Sequence, residues 1–145
     1  MDSLIDSLTG GHVAEVKIVL TSIVAALAMY QTFLMAVGYG KLRIRFLTSR
    51  TASFTHRGTG DAIVPITLLV AIMCLGYFGI EDALEHAPRP VTLHMISGFL
   101  LLLVLTIKIA VVRWWHGMGR FLPALGISVL TLFVITWLSS AGVYL

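Results

Sequence analysis

The sequence predicts an all-α integral membrane protein, an up-down bundle of four helices, and three observations predict it. Of its 145 residues 58% are apolar and only 12% carry a formal charge, too little polar surface to cover a water-soluble domain of this size. The apolar residues fall into four runs, each near the roughly 20 residues a helix needs to cross a hydrocarbon core of about 30 Å. The links between runs are short, which favours antiparallel neighbours and leaves no room for a large extramembrane domain. Residues 1–145 therefore read as a single transmembrane domain in contact with lipid.

Taken in order, Met1 to Gly11 is polar, with Asp2, Asp6 and a Gly10-Gly11 break. Neither a basic region nor a small-residue cleavage site precedes the first apolar run, so a cleaved signal peptide is not expected. The first span runs from about Val16 to Tyr39, with Glu15 and Lys17 at its mouth, where the lysine can snorkel its ammonium to an interface. Its Ala25, Ala26 and Ala28 allow close approach of another helix. The stretch GKLRIRFLTSRTASFTHRGTGD, carrying Lys41, Arg43, Arg45, Arg50 and Arg57, reads as a solvated, orienting loop. The second span runs from about Asp61 to Ile80, with Pro65 in its first turns, where a missing N–H is tolerated. An acidic link, EDALEHAPRP, closes on Pro88 and Pro90, which stop one helix and set up the next. The third span, about Val91 to Trp114, holds Lys108 inside an apolar run, and the fourth runs from Phe121 to about Tyr144.

Charge sets the orientation. Lys41, Arg43, Arg45, Arg50, Arg57, Arg113 and Arg120 cluster after the first and third spans, whereas Lys17 and Arg89 sit among acidic residues on the other side. By the preference of lysine and arginine for the cytoplasmic side, both termini are extracytoplasmic. The net charge of +3 comes from residues bordering spans, not from a solvent-exposed patch, so nucleic acid is not an expected partner. Cys74 is the sole cysteine, which excludes an intramolecular disulfide and a CxxCH haem attachment. It reads as a small buried hydrophobe. With no Ser/His/Asp set, phosphate loop or HExxH motif, a stand-alone enzyme finds little support.

Five histidines in so apolar a chain are the chemically informative feature. Two share a pattern, His56-Arg-Gly-Thr-Gly60 and His94-Met-Ile-Ser-Gly98, in which a glycine follows one helical turn later on the same face. A flat macrocycle bound through an imidazole lies against the helix that carries it, and a glycine there removes the side chain it would strike. The competing reading is a helix-packing glycine beside an interfacial histidine. As haem-iron ligands, His56 and His94 cannot share one iron: they cap opposite ends of antiparallel spans about 30 Å apart, and two axial ligands must lie within about 4 to 5 Å. An inner site would pair His56 with His116, and an outer site His94 with His12, Met73 or His86, with Met73 about 8 to 10 Å deeper than His94. Lys108 and Arg113 suit haem propionates or a quinone carbonyl, or else snorkel toward the interface.

The run HRGTG is similar to the HRxxG signature of several membrane b-type cytochromes, including cytochrome b561-like proteins and the haem-bearing anchors of succinate dehydrogenase. The later runs HMISG, KIAVVR and WLSSA resemble a small prokaryotic four-helix family in which HRxxG is followed by HC, HxxxG and KxxxVR. The likeness covers about the last two-thirds of the chain. It implies a haem-b protein of the prokaryotic cytoplasmic membrane, with one or two haems, exchanging electrons with quinone or with partner subunits of a redox complex. This chain departs from the pattern at Met73-Cys74, where those relatives have His before Cys. That departure favours the alternative of a cofactor-free accessory subunit of a larger membrane complex.

Overall fold

A computed structural model describes Ser7, Gly10, residues 12–78 and residues 89–141. It contains four long helices: α1 (Val13–Gly38), α2 (Ser49–Phe78), α3 (Arg89–Arg113) and α4 (Leu122–Ala141), with a short 3-10 turn, His116–Phe121, leading into α4. All four are long and apolar enough to cross a membrane. The expected end of the fourth span near Tyr144, the end of the second near Ile80 and the acidic link between α2 and α3 lie outside the described residues.

Cross-helix contacts fix the directions. Late α1 meets early α2 through Gln31 and His56, and late α2 meets early α3 through Cys74 and His94. Early α3 meets late α4 through Ser97 and Thr136, and late α4 meets early α1 through Trp137 and Ser22. The helices are antiparallel in succession, as short links demand. Among the described residues, close packing joins α1 to α2, α3 to α4 and α1 to α4, but not α2 to α3. Val24 and Ala28 of α1, Ile63 of α2, Leu101 of α3, and Val129 and Phe133 of α4 form the central core. Large apolar side chains such as Leu103 (56% exposed), Ile127 (60%) and Ile72 (56%) point outward on every helix, the inverse of a water-soluble surface.

The second helix corrects one boundary. It begins at Ser49, not near Asp61, so the expected loop from Ser49 to Gly60 is helical, the HRGTG run lies within the helix, and Pro65 sits at mid-helix. Two features start it early. The Thr48 hydroxyl accepts the Thr51 N–H at 3.2 Å, capping the first turn, and Ala52, fully buried, packs with Leu34 and Val37 of α1. The turn before it is equally determined. Gly40, at φ +70°, takes the left-handed conformation, so that Lys41 N–H reaches Ala36 O and Gly40 N–H reaches Val37 O at 2.9 Å each, closing the C-terminus of α1. Ile44 and Leu47 then fold back onto the Leu34, Val37 and Ala52 cluster.

Leu34 is completely buried, so Leu34→Ala should cost about 2–5 kcal/mol through the cavity it leaves. Leu103→Ala, on the exposed face, should change little. Thermal melts of the detergent-solubilised protein compare the two.

Candidate functional site

The His94 end of the bundle holds a cavity of about 250 Å³. Its walls come from all four helices, mostly apolar, with Lys17, Cys74, His94 and Ser139 among its polar members. Leu75 of α2 and Phe99 of α3 line it and are 45% and 56% exposed. Among the described residues the cavity therefore opens sideways between α2 and α3, the successive pair that does not pack closely there.

His94 is held from behind. Its Nδ1 lies 3.1 Å from the Thr136 carbonyl of α4. A carbonyl only accepts, so Nδ1 carries the hydrogen and Nε2 keeps its lone pair. The Thr136 hydroxyl donates to Ser97 Oγ at 2.9 Å, and Ser97 in turn donates to the His94 carbonyl at 3.1 Å. This small network locks the register of α3 against α4 around the imidazole. Nε2 faces Cys74 Sγ of α2 at 3.9 Å, and Lys17 from α1 lines the same cavity. Gly98 lines the cavity one turn from His94, and a Cβ built on it would meet nothing within 4 Å. Imidazole, thiol and open space thus occupy one place.

The other copy of the motif is built differently. His56 Nδ1 donates to the Gln31 carbonyl of α1 at 3.3 Å, and Gln31 Nε2 donates back to the His56 carbonyl at 2.9 Å and to the Thr59 hydroxyl. Gln31 fills the space beside Gly60, where a Cβ would find its amide nitrogen at 3.6 Å. His56 and Gly60 therefore tie α2 to α1. Gln31 Oε1 is buried without a hydrogen-bond partner among the described residues.

The remaining candidates scatter. His12 is exposed and pairs with Glu15 at 3.4 Å, away from the cavity lining. Met73 is buried but does not line the cavity, whereas its neighbour Cys74 does. Lys108 is half-buried on the His56 side of the bundle, and Arg113 is exposed in the last turn of α3. Both are far from His94: the fourteen residues from His94 to Lys108 span about 21 Å of helix. His86 and the side chain of His116 lie outside the described residues. Among the described residues, no three His, Cys, Asp or Glu side chains converge on one point.

Sequence reasoning finds His94 and Gly98 but misses Cys74, Lys17 and Thr136, whose roles depend on which helix faces which. Gln31, a polar side chain in an apolar run, is the signal that could have exposed the first tie.

A family model, described as a family of unknown function (DUF6529), matches residues 5–145. The chain belongs to this family. No curated protein and no solved structure matches it. Within DUF6529, this chain offers its His94 cavity as the place where chemistry has room.

Because Gly98 meets open space, Gly98→Ala should raise the stability of the protein without a ligand by roughly 0.5–1 kcal/mol, the helix-interior difference between the two residues. Gly38→Ala, whose Cβ would lie 3.2 Å from Ser53 Oγ, should gain less. Melting temperatures of the two variants check this.

Proposed function

We propose that this protein is a membrane b-type haem protein, with both termini extracytoplasmic in a prokaryotic cytoplasmic membrane, that passes electrons to or from quinone or a partner redox subunit. The observation that carries the proposal is the state of His94: its Nδ1–H is committed to Thr136 O, its Nε2 keeps a lone pair toward the Cys74 thiol at 3.9 Å, and Gly98 leaves space beside it. Histidines that ligate metals are held in this way, the outer hydrogen bond fixing tautomer and ring plane. The donor set fits a haem iron.

The chain's own residues divide the work. His94 would ligate the iron, Thr136 and Ser97 orient the imidazole, and the apolar walls would keep water away. Lys17 is the cation at hand for a propionate, a role the sequence assigned to Lys108 and Arg113 at the far end. The cavity, at about 250 Å³, is smaller than the roughly 300–1,000 Å³ of usual ligand pockets, so a macrocycle would also have to occupy the lateral opening between α2 and α3. When bound, haem supplies one-electron transfer. Gln31 fills the space at Gly60, which favours one haem over two.

The protein purified after growth with ample haem should show a Soret band and a reduced α-band, and His94→Ala should abolish them, while His56→Ala should lower stability and keep the spectrum. A colourless, iron-free wild-type protein that co-purifies with a large assembly would replace this reading with that of an accessory subunit. For orientation, a C-terminal alkaline phosphatase fusion should be active and a fluorescent-protein fusion dark.

A further inference from the structure

We infer that Cys74 is the second axial ligand, so that a thiolate from α2 and an imidazole from α3 hold the iron between them. This inference rests on the haem reading above and names the ligand that reading leaves open. Cys74 Sγ lies 3.9 Å from His94 Nε2. Imidazole nitrogen and thiolate sulfur bind first-row metal ions at about 2.0 and 2.3 Å, so two such donors on opposite sides of one iron stand about 4.3 Å apart. The present gap needs to widen by a few tenths of an ångström. The two residues stand on α2 and α3, the successive helices that do not pack closely.

Each donor has a small neighbour about one turn away that also lines the cavity: Gly98 beside His94 and Ala71 beside Cys74. Lys17 lines the same cavity, a cation on the side of the bundle where a thiolate would add negative charge. Ligation as thiolate releases the thiol proton to the water at the membrane surface nearest the His94 end of the bundle. The competing donors are placed elsewhere. His12 is exposed and paired with Glu15, Met73 is outside the lining, and Met95 lines the cavity but follows His94 on the same helix, so it cannot approach from the opposite side.

The test uses the full-length haem-loaded protein in detergent. Ferric wild type should be low-spin with the electron paramagnetic resonance signature of a thiolate ligand. Cys74→Ala should retain haem, turn high-spin and shift to a higher midpoint potential, because a negative charge beside the iron is lost. Cys74→His should return to low-spin with a bis-imidazole spectrum. A second readout needs no variant: a membrane-permeant maleimide should label Cys74 in the haem-free protein, and haem loading should slow labelling at least tenfold. Haem bound with the same spectrum and potential in Cys74→Ala as in wild type overturns the assignment and leaves the haem reading intact. Wild type that takes up no haem overturns both.

Discussion

Polar side chains reaching backbone carbonyls on neighbouring helices are the constraint on which this structure depends. Where lipid surrounds a bundle, burying one apolar face against another gains little over leaving it in acyl chains, and van der Waals packing and interhelical hydrogen bonds set the arrangement. Here the ties are few and specific. Gln31 and His56 clasp α1 to α2, His94 and Thr136 clasp α3 to α4, and the Trp137 N–H donates to Ser22 at 3.1 Å, joining α4 to α1. Between α2 and α3 the one polar contact found among the described residues is the long one from Cys74 to His94, and the cavity lies there. The remaining hydroxyls are satisfied locally: Thr21, Thr32, Thr67, Thr106 and Thr131 each donate to a carbonyl one turn back, the means by which threonine persists inside apolar helices.

The two H-x-x-x-G copies show how a shared local pattern diverges under tertiary context. Both histidines donate Nδ1–H to a carbonyl of a neighbouring helix. What differs is the residue opposite the glycine. At Gly60 the long amide of Gln31 occupies the space, at the cost of leaving one of its own acceptors buried and unpaired. At Gly98 nothing occupies it. One copy became a clasp and the other kept a vacancy.

Much of the architecture is legible in the sequence because the length of an apolar run is a direct physical requirement. The first and third helices, Val13–Gly38 and Arg89–Arg113, begin within about three residues of the expected spans, a scatter common to helix ends. The start of α2 was hidden because Ser49 to Gly60 is polar and rich in threonine and serine, the composition of a loop. Its helicity comes from the Thr48 cap and from Ala52 settling against Leu34, and the second of these is a tertiary fact. His94 could be picked out because an imidazole in an apolar run is costly. Cys74 and Lys17 could not, since a small thiol and a snorkelling lysine are ordinary until the opposing helix is known.

The sideways mouth has a bearing on supply. Leu75 and Phe99, which frame it, belong to the same outward-facing apolar surface as Ile72 and Leu103, so any guest of the cavity would enter through whatever solvates that surface. Occupancy would then follow how strongly a compound partitions into hydrocarbon, and one sparingly soluble in water would come pre-concentrated, already stripped of its hydration shell before it meets the protein.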